Sequence, residues 1–99
     1  MKLEKHILYI TKEAKMDLED EGYTTVPAVS GYPWNIVAIK ESNPAEPVRC
    51  IQLKWTKTEK GAKLLKARYQ HPTLPSGFQS YKHELWIWVE RRGWLYKVA

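Results

Sequence analysis

Polar side chains interrupt two apolar stretches of the chain. Asn35 lies near the start of the stretch 34–39, after the pair Ser30-Gly31, and Gln52 and Lys54 lie two residues apart in the stretch 49–55. Because residues two apart point to the same face of a strand, Gln52 and Lys54 should lie side by side. Ammonium and amide groups donate hydrogen bonds to oxyanions such as phosphate. The simpler alternative is that Asn35 satisfies backbone groups in a turn and that the other two residues form a solvated strand face.

A series of basic side chains follows directly along the chain. Its members are Lys57, Lys60, Lys63, Lys66 and Arg68. With Lys54 they could track the phosphate backbone of a nucleic acid, or they could form an ordinary solvated helix face. Residues 1–47 carry five basic and eight acidic side chains, a net charge of about −3, whereas residues 48–99 carry eleven and three, about +8. A basic half of this kind suggests an acidic partner, with nucleic acid ahead of an anionic membrane.

Hydrophobic periodicity predicts the elements that must position these residues. Apolar residues from Leu3 to Leu18 recur at spacings of three and four, which predicts an amphipathic helix that stops at Gly22. A second helix is predicted over 59–69. Alternating or continuous apolar stretches predict strands over 23–26, 34–39, 49–55, 85–89 and 94–98. The order α-β-β-β-α-β-β over residues 1–99 predicts a single α/β domain.

The composition excludes several classes of protein. The single cysteine, Cys50, rules out a disulfide framework and a cysteine-rich zinc site, and we expect it to lie in the core. The uncharged stretch 22–39 contains two prolines and does not suit a membrane-spanning helix. The N-terminus lacks the apolar core and cleavage site of a signal peptide. We therefore expect a cytoplasmic protein without a membrane partner, with most of its five tryptophans in the core or on a dimer surface.

The order and spacing of several short segments resemble a known group of nucleases. The segments are Glu21-Gly22-Tyr23, Ser30-Gly31, Trp34-Asn35-Ile36-Val37-Ala38, Ile51-Gln52-Leu53-Lys54-Trp55-Thr56-Lys57 and Gly93-Trp94-Leu95-Tyr96. In this pattern the chain resembles the PD-(D/E)xK nuclease superfamily, and within it the small archaeal Holliday junction resolvases. The resemblance covers nearly the whole chain. It implies a restriction-endonuclease-like mixed β-sheet flanked by helices, a homodimer and a DNA substrate that includes branched DNA.

The resemblance also implies a metal-dependent site, from which this sequence departs. Members of the superfamily hold Mg²⁺ through an aspartate on the second strand, an acid on the third strand and a backbone carbonyl, here that of Leu53. The motif lysine orients the attacking water or stabilises developing charge. Asn35 and Gln52 take the places of the two acids, and only Lys54 is retained. The acid that the family often carries in its first helix would fall near Thr11, with Glu4 and Glu13 as displaced candidate metal ligands.

These replacements change the charge of the motif and therefore its preferred ligand. Asn, Gln and Lys sum to +1, whereas Asp, Glu and Lys sum to −1, so a divalent cation is disfavoured and a phosphate oxygen is favoured. We therefore predict that the chain is a nuclease-fold protein with a degenerate metal site and that it binds nucleic acid, in particular DNA. One alternative is a working Mg²⁺-dependent endonuclease that uses Gln52, Lys54 and an acid from the first helix. Another is a protein-interaction or assembly module that binds through its Trp-rich hairpin.

Overall fold

The residues that the structure describes form seven elements, in the predicted order of helix, three strands, helix and two strands. The structure is a computed structural model that describes residues 3–27, 33–43, 45, 47–70 and 81–99. The elements are α1 (Leu3–Asp20), β1 (Thr24–Pro27), β2 (Ile36–Ile39), β3 (Val48–Thr56), α2 (Glu59–Arg68), β4 (Lys82–Val89) and β5 (Gly93–Val98). The prediction of an α/β fold with a mixed sheet and two helices is confirmed.

The five strands form one sheet in the order β1-β2-β3-β4-β5. Strands β1, β2 and β3 pair antiparallel, β3 and β4 pair parallel, and β4 and β5 form an antiparallel hairpin. A parallel pair needs a crossover connection rather than a tight turn, and α2 lies in the connection between β3 and β4. The parallel pair brings residues far apart in the sequence to the centre of the sheet.

The two helices cover opposite faces of the sheet because the strand residues alternate. Ile51 and Leu53 on β3 pack with the buried stripe of α1, which is formed by Ile10, Ala14 and Leu18. Ala62 of α2 packs against Leu85, Ile87 and Val89 of β4 on the other face. The predicted alternation of β3 is confirmed, since Gln52 and Lys54 lie between its buried residues and are more exposed. Lys54 therefore belongs to the face that α2 covers.

Helix α1 ends where the glycine predicts. Gly22 adopts a φ of +92°, in the left-handed region that favours glycine. Its N–H donates to the carbonyl of Glu19 at 2.9 Å, and the N–H of Tyr23 donates to the carbonyl of Leu18 at 3.0 Å. These bonds satisfy two of the carbonyls that a helix leaves open at its end. The chain then turns directly into β1, which places Tyr23 in the core.

Strand β2 is shorter than its apolar run predicts. It begins at Ile36, so that Trp34 and Asn35 precede it, and Val37 and Ile39 are only half-buried rather than enclosed on both faces. A polar side chain such as asparagine competes for backbone hydrogen bonds and commonly interrupts a ladder. The departure of Asn35 from the strand determines its role in the candidate site.

Helix α2 begins with a capping residue. The hydroxyl of Thr58 accepts a hydrogen bond from the N–H of Gly61 at 3.0 Å, and Thr58 itself has an extended backbone. A side chain on Gly61 would collide with the hydroxyl of Thr56 on β3. Gly61 therefore allows the first turn of α2 to approach β3 closely.

Replacing Thr58 by alanine is expected to lower the free energy of unfolding by about 1 kcal/mol, because the N–H of Gly61 loses its acceptor. Urea denaturation followed by circular dichroism measures the change. Thr24→Ala, at an exposed position on β1, serves as the control and should change the free energy by less than about 0.5 kcal/mol. Equal effects of the two variants would contradict the capping role.

The tryptophans divide between full and partial burial. Trp34 and Trp86 are buried, whereas Trp55, Trp88 and Trp94 are partly buried and pack against the core on the α1 face. Core packing is thus confirmed for Trp34 and Trp86. Within the ranges described, neither helix has the combination of length and apolar character needed to cross a membrane.

Candidate functional site

Asn35 links β2 to β3 at the point where the two strands separate. Its backbone N–H donates to the carbonyl of Ile51 at 2.7 Å, and its side-chain Oδ1 accepts from the N–H of Leu53 at 2.7 Å. The amide side chain thus takes the place of a backbone acceptor beyond the end of the regular ladder. This is the structural role that the sequence offered as the simpler alternative for Asn35.

A cavity of about 260 Å³ lies between Asn35, α1 and β1. Thr11 of α1 lines it, so the helix position that the resemblance assigns to an acid does face Asn35. The hydroxyl of Thr11 donates to the carbonyl of Ile7 at 2.6 Å, within its own helix. Among the described lining residues, the charged one is Lys15. A hydroxyl, an amide and an ammonium group do not fit Mg²⁺, which prefers carboxylate ligands.

Of the two displaced metal candidates, only Glu13 can be placed relative to this cavity. Glu13 is half-buried on α1 and does not line the cavity, and the side chain of Glu4 lies outside the part of the chain that is described. Over the described ranges, no group of three His, Cys, Asp or Glu side chains could hold a metal ion.

Gln52 and Lys54 instead line a second cavity, of about 240 Å³, on the α2 face. We name it the β3–α2 cavity. The end of α2 and the residues after it contribute Arg68, Tyr69 and Gln70, and the described lining also includes Leu65 and Leu85. The structure therefore brings Gln52 and Lys54 together, adds Arg68 from the basic series, and leaves Asn35 beside another cavity.

The β3–α2 cavity is positively charged and rich in hydrogen-bond donors. Lys54 and Arg68 carry its two charges, and the described lining residues include no carboxylate. Burial, and then the charge of Glu84, raise the pKa of the Tyr69 phenol, so the phenol adds no negative charge to the cavity. The carbonyl end of α2 lies nearby and opposes an anion, but Lys66 and Arg68 in its last turn offset that dipole. An ammonium, a guanidinium and amides in one cavity suit a phosphate group.

The basic series spreads around α2 instead of forming one ridge. Lys60 and Lys63 are exposed on the helix, and Lys57 is exposed just before it. Lys66 turns to one side, with its Nζ 4.6 Å from the centroid of the Tyr96 ring, and Arg68 lies on the other side in the β3–α2 cavity. The positive surface therefore extends from β3 around α2.

Three other cations of the basic half are held by carboxylates. Arg49 contacts Glu84 and Glu21, Arg92 pairs with Glu59, and Lys97 lies 3.0 Å from Asp17. Within the described residues, Lys54, Lys57, Lys60, Lys63 and Arg68 form no ion pair. Much of the positive charge available to a ligand is therefore on β3 and α2.

Sequence reasoning missed the buried charge cluster between β3 and β4. Glu84 is 4% exposed and receives two hydrogen bonds from Arg49 and one, at 3.1 Å, from Nε1 of Trp86. The hydrogen bonds to Glu84 raise the pKa of the Arg49 guanidinium further above its usual range. The signal available in the sequence was an acidic residue directly before the apolar stretch 85–89, because a carboxylate that enters the sheet there needs a partner.

Cys50 is a buried thiol, as expected. Its side chain is enclosed in the sheet, and burial, followed by the nearby charge of Glu84, raises its pKa to about 11. At neutral pH the thiol is protonated and therefore a poor nucleophile. Cys50 adds no covalent chemistry to either cavity.

The fold and the cavities define a small α/β domain with a five-stranded mixed sheet and a basic cavity between β3 and α2. Comparisons with protein-family models, curated proteins and solved structures find no match for the chain. The function must therefore be inferred from the geometry and charge of the described residues.

Proposed function

We propose that the chain binds the phosphate backbone of nucleic acid, in particular DNA and branched DNA, through the β3–α2 cavity and the exposed lysines of α2. The observation that carries this proposal is the convergence of Lys54 and Arg68, from two separate elements, on one cavity with Gln52. Two cations that line one cavity without a described carboxylate give it a positive potential, which favours an anion such as a phosphate group.

We also propose that the fold is restriction-endonuclease-like and that its metal site is degenerate. The element order and the antiparallel β1-β2-β3 unit followed by a parallel β4 support this proposal. The hydrogen bond from the Leu53 N–H to Asn35 joins the second and third strands at the motif, while Gln52 and Lys54 line the cavity on the other face. The resemblance further implies a homodimer, and analytical ultracentrifugation at micromolar concentration tests that part directly.

Salt dependence tests the binding proposal. Fluorescence anisotropy with labelled duplex, single-stranded and four-way junction DNA should show an affinity that falls steeply with salt, with a slope of roughly −0.9 per phosphate neutralised on a duplex. Lys54→Ala and Arg68→Ala should each weaken binding about tenfold, the loss of one charge-assisted hydrogen bond. Each should also make the slope shallower by about 1. A flat response to salt would contradict a phosphate contact.

The matched control is Lys12→Ala, which removes an exposed lysine from α1 on the opposite face of the sheet. It should leave the affinity within about twofold, because charges separated by more than about 10 Å are screened. If Lys12→Ala weakens binding as much as Lys54→Ala, the effect comes from net charge and not from the cavity. Incubation with Mg²⁺ or Mn²⁺ completes the design, since cleavage that disappears in Lys54→Ala would favour the endonuclease alternative.

A further inference from the structure

An aromatic groove lies on the other face of the sheet from the β3–α2 cavity. Four aromatic residues line it, His6 and Tyr9 from α1, Trp55 from β3 and Trp88 from β4, around a volume of about 340 Å³. Lys54 and Trp55 are adjacent on β3 and point to opposite faces, so the groove and the cavity share one strand. The volume is within the range of small-molecule sites, about 300–1,000 Å³.

The rings of the groove are already arranged for stacking. His6 lies parallel to Trp55, with ring centroids 3.7 Å apart and an interplanar angle of 11°. Tyr9 contacts Trp88 edge to face at 5.6 Å, and Trp94 holds Trp88 from another side at 5.0 Å. Tyr9 is 54% exposed, although a tyrosine ring of this size gains by burial. A flat aromatic ligand can extend the stack that His6 and Trp55 begin.

The charges at the rim of the groove favour an anion next to that flat ligand. Lys5 and Arg91 contribute two positive charges, and Glu90 contributes one negative charge. Arg91 has a φ of 65°, in the left-handed region where arginine is uncommon and glycine or asparagine is cheaper. The chain therefore keeps an arginine beside the groove at some conformational cost. Arg92, the next residue, instead pairs with Glu59.

We infer that the aromatic groove takes one unstacked nucleobase and that Arg91 and Lys5 contact the adjoining phosphate. The net positive rim disfavours a cationic aromatic ligand, and the parallel rings favour a planar one. The inference rests on the proposed function only for the class of ligand, nucleic acid, because the groove and the β3–α2 cavity lie on opposite faces. A nucleic acid held by both sites would have a single-stranded or splayed segment at the groove.

An oligothymidylate and an abasic oligomer of equal length and phosphate number distinguish base binding in the groove from phosphate binding in the β3–α2 cavity. By fluorescence anisotropy at low salt, the oligothymidylate should bind the wild-type chain about tenfold more tightly, the contribution of one base stacked on aromatic rings. His6→Ala should reduce that preference to nearly none. The control Leu8→Ala, at a neighbouring α1 position that is 66% exposed and outside the groove, should retain it. Lys54→Ala should weaken both oligomers equally and leave the preference unchanged.

Arg91→Gly is a variant whose effect on affinity should not come from unfolding. Glycine adopts a positive φ without strain, so the melting temperature should not fall, while the affinity for both oligomers should fall several-fold. Arg92→Ala is the adjacent control and should leave both affinities within about twofold. Equal affinity of the wild-type chain for the two oligomers would overturn base binding in the groove and leave the proposed phosphate binding intact. A preference for the oligothymidylate without any effect of Lys54→Ala would support base binding in the groove and contradict the proposed function. If the chain binds neither oligomer, base binding in the groove and the proposed function are both overturned.

Discussion

Arg49→Met is expected to lower the free energy of unfolding by about 3–5 kcal/mol, which is a large part of the total for a domain of this size. In the native protein Nη2 of Arg49 donates to Oε1 of Glu84 at 2.7 Å, and Nε donates to the other carboxylate oxygen. The Glu84 side chain is only 5% exposed. Methionine would leave that carboxylate in the core, where the indole N–H of Trp86 is its remaining donor among the described residues.

The guanidinium of Arg49 also packs on aromatic rings. Its Cζ lies 5.0 Å from the centroid of the Tyr23 ring and 5.9 Å from that of Trp86. Because Arg49 on β3 contacts both β4 and the residues at the end of α1, its loss should reduce the cooperativity of unfolding as well as the stability of the domain. Urea denaturation followed by tryptophan fluorescence and by circular dichroism measures both, and the two transitions should separate in the variant.

Two further variants identify the cause of this loss. Arg49→Met combined with Glu84→Leu removes both charges and should recover a substantial part of the stability, because no buried charge is left unpaired. Lys15→Met breaks the exposed pair with Glu19, at 3.8 Å, and should cost less than about 0.5 kcal/mol. If Arg49→Met costs no more than Lys15→Met, the buried pair does not stabilise the fold.

The second large effect is expected at Asn35, whose replacement by alanine should lower the free energy of unfolding by about 1–3 kcal/mol. The reason is that the N–H of Leu53, at a buried residue, loses the Oδ1 acceptor that lies 2.7 Å away. Asn35→Asp keeps an acceptor at this place and should lose less. Urea denaturation of the two variants gives the comparison.

Gln52→Ala is the matched amide control for Asn35. Gln52 lines the β3–α2 cavity and its side chain forms no hydrogen bond within the described residues, so its truncation should change stability by less than about 0.5 kcal/mol and weaken DNA binding instead. The two amides of the motif are thus expected to separate into a structural residue and a ligand contact. Weakened DNA binding in Asn35→Ala with unchanged stability would reverse that assignment.

Local patterns in the sequence were enough to predict the elements. Leu18 and Gly22 define the end of α1, and the alternation of Ile51, Gln52, Leu53 and Lys54 defines the faces of β3, because each pattern depends on residues a few positions apart. The position of Gln52 and Lys54 on one face of β3 could be predicted for the same reason. The early start predicted for β2 was wrong, because Asn35 uses its side chain where the next ladder bond would form.

What the sequence by itself determined is therefore the order of the elements, the two faces of β3 and the positive charge of the second half. Only the tertiary structure decided which faces meet. The parallel pairing of β3 with β4 joins Arg49 to Glu84, and the packing of α2 brings Arg68 to Lys54. The approach of α1 to the ends of β3 and β4 assembles the aromatic groove. Local periodicity depends on bond geometry within a few residues, whereas these contacts depend on burying apolar surface between elements distant in the chain.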